Sequence, residues 1–293
     1  MPTRTYSIRF YQGAIAVDAT IKSVANAFKS ASEKPTSIVQ GDDVHELRNL
    51  TPMGVVGQNW NGVLARIRRK DLPHAGKVGG SERELPIADD EGLVEKCHFI
   101  YYGKLNVLAF QENRNAGSVR WLGECLTQAC GMETVSFDDV LRLEPMKRLM
   151  NAKAFAKSLD LRIAKPKNMG IVPQDQWNKW IFDLMDGANG ANLHLQIRGE
   201  GRSKDQETRF LNDRIKPAMR ELIQGGSVKG AKLELDENGH VHPIDLIADR
   251  LLSKQKVVVE GRYPKADSMF AAIESAYGEV KDELEELFGQ SSA

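Results

Sequence analysis

The sequence predicts an α+β protein of two mixed domains with antiparallel sheets. Strand-like and helix-like stretches mingle in both halves without a regular β-α-β alternation. The clearest strand pair, Lys96–Tyr102 and Leu105–Phe110, is joined by a tight turn at Gly103-Lys104, and such a connection makes neighbours antiparallel. The 293 residues amount to about two domains. The Pro- and Lys-bearing stretch Lys165-Pro166-Lys167-Asn168 is the predicted boundary, giving an N-terminal domain of residues 1–165 and a C-terminal domain of residues 166–293.

The first element is a strand at Tyr6–Phe10. A helix follows, capped by Asp18, with Ile21, Val24, Ala25 and Phe28 at the spacing of one apolar face. Val44–Leu50 and Val63–Arg68 read as strands. Asp71–Gly92, rich in Gly and Pro, reads as a long surface loop. After the hairpin and the polar loop 111–117, Ser118–Cys130 reads as a helix that Gly131 ends in the left-handed conformation. Thr134–Leu143 and Asp160–Ala164 look extended, with helical sequence between them over Met146–Lys157. Gln174–Met185 predicts a helix ended by Gly187, Leu193–Ile197 a strand, and Ser203–Gln224 one long helix. Lys232–Leu235 and His240–His242 flank a four-residue turn, Lys256–Glu260 is a strand, and Asp267–Phe288 a final helix.

Lys plus Arg and Asp plus Glu both total 40, which excludes a globally basic nucleic-acid binder but not a local basic patch. No apolar run approaches the ~18–20 residues of a membrane-crossing helix, and the N-terminus lacks the charged-then-apolar order of a signal peptide. Cys97, Cys125 and Cys130 cannot all pair and form no CxxC, which predicts a reducing, cytoplasmic setting.

Motifs for catalysis are sparse. Lys77-Val-Gly-Gly-Ser81 has its lysine on the wrong side of the glycines for a phosphate loop, and Gly187-Ala-Asn-Gly190 precedes a strand rather than a helix. There is no Gly-x-Ser-x-Gly elbow. Cys97 and His98 are adjacent on a strand, so they face opposite ways. The best constellation is Asp236-Glu237-Asn238-Gly239-His240-Val241-His242, whose turn acids and two histidines could serve a metal-dependent nuclease or phosphoesterase, although a turn alone explains the acids. The loop Glu112–Ser118 could hold an anion through Arg114 and the amides opening its helix. Trp177 and Trp180 read as core. No cofactor and no resident metal is implied.

Charge is more informative. Lys147 to Arg220 holds 15 basic and 8 acidic residues, whereas Glu274 to Glu286 holds 6 acids and Lys281. Arg66, Arg68 and Lys70 alternate, so a strand would present three cations on one face. On the predicted Ser203–Gln224 helix, Arg209, Lys216 and Arg220 fall within about 40° of one another at 100° per residue, opposite a stripe of Leu211, Ile215, Met219 and Leu222. Lys153, Lys157, Arg162, Lys165 and Lys167 add to the patch. Clustered cations of this kind suit a phosphate backbone. On the last helix, Ile273, Tyr277, Val280, Leu284 and Leu287 form an apolar stripe beside an acidic ridge, which predicts a homodimer with this helix at or near the contact. A third reading is a protein-interaction module whose acidic helix binds a basic partner.

The succession Cys97-His-Phe-Ile-Tyr-Tyr-Gly-Lys-Leu-Asn-Val-Leu-Ala-Phe110, Trp121–Leu126, Val140–Pro145 and Leu159–Ile163, then a hairpin near Leu235–His240 and a terminal helix ending Glu283–Phe288, resembles the RexA-like phage-exclusion family, whose relatives include the Kiwa component KwaB. The similarity lies in the order of elements over roughly residues 95–290. It implies a cytoplasmic, non-enzymatic, sequence-tolerant binder of double-stranded DNA in anti-phage defence, acting as sensor or regulator. It also implies a homodimer and a membrane-protein effector partner.

Overall fold

A computed structural model describes residues 2–16, 19–54, 58–165, 175–224, 228–237, 239–246, 250–261 and 263–289. The elements in chain order are β1 (Thr3–Ile15), α1 (Val24–Glu33), β2 (Ser37–Gln40), β3 (Asp43–Met53), β4 (Asn59–Arg68), β5 (Ala75–Gly76), β6 (Glu82–Arg83), β7 (Leu93–Tyr102), β8 (Val107–Gln111), α2 (Val119–Ala129) and β9 (Val135–Asp139). Then come α3 (Leu143–Met150), β10 (Ala154–Ala164), α4 (Gln176–Gly187), β11 (Asn192–Arg198), α5 (Gln206–Arg209), α6 (Ile215–Gln224), β12 (Val228–Glu237) and β13 (His240–Asp245). The chain closes with β14 (Leu252–Glu260), β15 (Tyr263–Pro264) and α7 (Ala266–Phe288). The fold is α+β with antiparallel sheets, as the mixed element pattern predicts.

The chain forms two compact units, Met1–Phe137 with Leu252–Ala293, and Asp138–Leu251. The predicted boundary at 165/166 therefore falls inside the second unit. The reason is long-range pairing: β14 runs antiparallel to β1 from Thr3 opposite Val258 to Arg9 opposite Leu252, so the C-terminal strand completes the N-terminal sheet. Residues 166–168 lie outside the described residues, as does Asp18; the side chain that caps α1 is Ser23, accepting from the Asn26 amide at 3.2 Å.

In the first unit the sheet order is β15-β14-β1-β8-β7-β4-β3-β2, with β9 also on β1. Alternation sorts its side chains to two faces. Tyr11, Leu64, Cys97, Phe99, Tyr101, Leu108 and Phe110 pack with α1 and α2. Phe28 of α1 is fully buried against Phe99, Tyr101 and Trp60, with ring centroids 5.2–6.4 Å apart; burying such a side chain contributes about 1.5–3 kcal/mol. The opposite face takes α7, whose Met269, Ala272, Ile273, Ala276, Val280 and Leu284 are buried and which packs on β14, β7 and β8. The apolar stripe of the last helix is thus covered within its own unit. Tyr277 stacks on Tyr102 at 3.7 Å, and Glu279 accepts from Ser253 and Gln255 of β14.

The second unit is a four-stranded sheet, β11-β10-β12-β13, whose Ala156, Leu159, Leu161, Ile163, Leu233 and Leu235 share a core with Ile181, Phe182 and Met185 of α4 and Ile215, Met219 and Leu222 of α6. Of the predicted helices, one ends early and one is interrupted. α3 stops at Met150, and Ala154–Lys157 belongs to β10, where a register shift between Ala156 and Ser158 hides the strand's alternation. The predicted helix Ser203–Gln224 is two helices, α5 and α6, because a continuous one would drive Pro217 into the carbonyl of Asp213. Between them Leu211 donates its amide to the Ala156 carbonyl at 2.7 Å.

Candidate nucleic-acid interface

Structure separates the cations that the sequence nominates. On β4, Arg66 lies on the α1/α2 face, ion-paired to Asp43 at 2.6 Å and donating to the Asn115 carbonyl at 2.9 Å. Arg68 ends the strand opposite Asp43, and Lys70 lies beyond it, held by Asp42 at 2.7 Å. Lys165 pairs with Asp186, and Lys167 lies outside the described residues. The ridge of Arg209, Lys216 and Arg220 does not form. Arg209 ends α5 with its guanidinium over Phe210, whereas Lys216 is 5% exposed and Arg220 sits exposed on α6. The Lys216 ammonium donates to the carbonyls of Ala154 at 2.5 Å and Asn151 at 3.1 Å and pairs with Asp213 at 3.0 Å, a structural cation with no route to a phosphate. Lys153 is exposed after α3 and Lys157 half-buried at the β10 bulge.

The hairpin proposed for metal chemistry does not assemble. Asp236 is buried and accepts from the Gly239 amide at 2.8 Å, opposite Val241 in the register. His240 and His242 pair with Glu237 and Leu235, so they point to the other face. Among the described residues no group of three His, Cys, Asp or Glu could hold a metal ion. The thiols of Cys97 and Cys125 are pushed up to about 12 by burial, which leaves them protonated and inert. Trp177 rests on the second core as predicted; Trp180 does not, and with Arg214 and Pro217 it lines a cavity of about 560 Å³.

A second cavity, of about 650 Å³, opens on the α1/α2 face of the first sheet, between β1 and the start of α2. Ser7, Arg9 and Tyr11 of β1, Phe110 and Glu112 at the end of β8, Arg114 of the connecting loop, and Gly117, Ser118 and Val119 at the start of α2 line it. Ser118 makes no side-chain cap, so the first-turn amides of α2, the positive end of its dipole, are presented there. Beside the cavity, β14 places Lys256 opposite Thr5 and Lys254 opposite Ser7, both exposed and on this same face. Arg9 and Glu112 pair at 2.6 Å and cancel. Lys254, Lys256 and Arg114 then set the sign of the rim, since Glu112 is the acid of the lining.

The loop that carries Arg114 is fixed from below. The Asn113 side chain accepts from the Asn115 amide at 3.1 Å and donates to the Lys96 carbonyl at 3.1 Å, and Arg66 holds Asn115. Gly117 adopts φ +104°, and a Cβ there would lie 3.1–3.2 Å from Trp121 and His45, whose rings stack at 4.2 Å. The sequence marks this loop with Arg114 but does not single out Arg9, Lys254 and Lys256. The alternation Lys254-Gln255-Lys256 was the available signal; nothing local says that this strand lies beside β1.

No helix of the described residues is long and apolar enough to cross a membrane. Comparison with curated proteins gives no match. A family model does match, over residues 24–284, reaching from α1 into α7 and so spanning both units. The chain belongs to DUF6731, a family of unknown function.

Proposed function

We propose that the chain binds the phosphate backbone of double-stranded DNA through the β1–β14 face of its first unit. The observation that carries this reading is the convergence of Lys254, Lys256 and Arg114 around the cavity at the start of α2. Cations drawn from two distant chain segments, β14 and the loop before α2, onto an open sheet face suit a repeating phosphate better than a single charge. Such contacts carry no base reading, so binding is tolerant of sequence. The RexA-like order of elements supports a role as sensor or regulator in phage exclusion, with a membrane-protein effector as partner. Three free cysteines support a cytoplasmic setting.

Retardation of a linear duplex across a salt series is the test. Affinity should fall steeply from about 50 to 200 mM salt, with a log–log slope of about −0.9 per phosphate neutralised. Changing Lys254, Lys256 and Arg114 together to Glu should abolish retardation while far-UV circular dichroism stays unchanged. A folded triple variant that retards DNA like the parent removes this face. A parent that retards nothing at about 50 mM salt removes DNA binding altogether.

A further inference from the structure

The sheet of the second unit ends on two unlike edges. β13 carries Pro243 opposite Glu234, and proline has no N–H to offer another strand. β11 is weakly guarded: its seven residues, Asn192-Leu-His-Leu-Gln-Ile-Arg198, contain no proline or lysine, their one full charge is Arg198 at the strand end, and the pairing with β10 runs without a bulge. Its other side has no strand partner among the described residues. Leu193, Leu195 and Ile197 are only half-buried, the first two resting on the rim of the core, while Asn192, His194, Gln196 and Arg198 are exposed on the opposite face.

We propose that this edge pairs with a second copy of the chain, β11 against β11, antiparallel about a two-fold axis at Leu195. That register engages all seven residues. Leu195 meets Leu195 of the second copy, Leu193 meets Ile197, His194 meets Gln196, and Asn192 meets Arg198. Apolar therefore faces apolar, polar faces polar, and the strand's arginine meets an amide rather than itself. The pairing covers the half-exposed leucines and joins two four-stranded sheets into one of eight, and an isologous contact of this kind closes at two copies. A second copy brings this matching order to every encounter, whereas an unrelated strand would need the same alternation in the same register, and that favours a second copy as the occupant.

Sedimentation equilibrium of the full chain at micromolar concentration should give twice 32.6 kDa. In a Cys130→Ser background, Leu195→Cys places two thiols across the axis and should yield a covalent dimer on mild oxidation. Val241→Cys on the other edge should not. Leu195→Lys sets two ammonium groups face to face and should return the chain to monomer. A monomeric parent overturns the proposal, as does a dimer that cross-links through position 241 or fails to cross-link through 195. Should the lysine variant not fold, the cysteine pair decides alone.

Discussion

Lys216 shows how far burial changes the meaning of a charge. Its ammonium sits among two carbonyls and a carboxylate, tying the start of α6 to the turn before β10. Lys216→Ala should therefore cost about 2–3 kcal/mol in urea unfolding, since it strands those acceptors, whereas Arg220→Ala on the same helix should stay within about 0.5 kcal/mol. Two histidines of the first unit give a pH signature. Burial, with Arg66 nearby, holds the His45 ring below its ordinary pKa. Burial also lowers His98, which hydrogen-bonds Gln111 at 2.8 Å and meets the edge of Phe270. The unfolded chain takes up these protons near pH ~6.5, the folded one only at lower pH. The unfolded state thus binds more protons in that window, so stability is complete above it and falls as pH drops through and below ~6.5. Urea midpoints measured at pH ~7.5 and ~5.5 should show the loss, and His98→Gln should reduce it.

Among elements, the loop before α2 turns a core arrangement into a surface one. Arg66 does not face solvent phosphate; it grips the loop from which Arg114 projects. Arg66→Ala should weaken DNA binding yet leave the salt slope unchanged, while Arg114→Ala should reduce the slope by about 0.9. Gly117→Ala should disturb the same loop through its positive φ and its crowding against Trp121 and His45. What the sequence made legible follows the range of the interactions. The β7–β8 hairpin, α2 with Gly131 beyond it at φ +70°, and the long α7 depend on neighbours within a few turns, and all three are present. The apolar spacing of residues 203–224 runs on through 210–214, where the Leu211 bond to β10 and the clash that Pro217 would make with the Asp213 carbonyl interrupt the helix. The site was legible only at Arg114, since Arg9 and the β14 lysines meet by pairing between the two ends of the chain.

At the scale of the whole molecule, the first unit is discontinuous and the second continuous. A fragment of residues 1–165 should therefore fail to melt cooperatively, because β1 lacks its β14 partner and one sheet face lacks α7. A fragment of residues 138–251 carries the whole of its core and should melt as a cooperative unit by circular dichroism.

The return of β14 also sets an order of events during synthesis. Chains leave the ribosome N-terminus first, and domains commonly settle in that sequence. Here the inserted middle can mature while the earlier-made strands still wait for residues 252–288 to emerge. Until then β1 offers an open, aggregation-prone rim, a state that chaperone occupancy would shield and fast translation of the last stretch would shorten. A stop codon anywhere before residue 252 would freeze the nascent protein in that adhesive condition, so truncation is more damaging here than the small size of the lost tail implies.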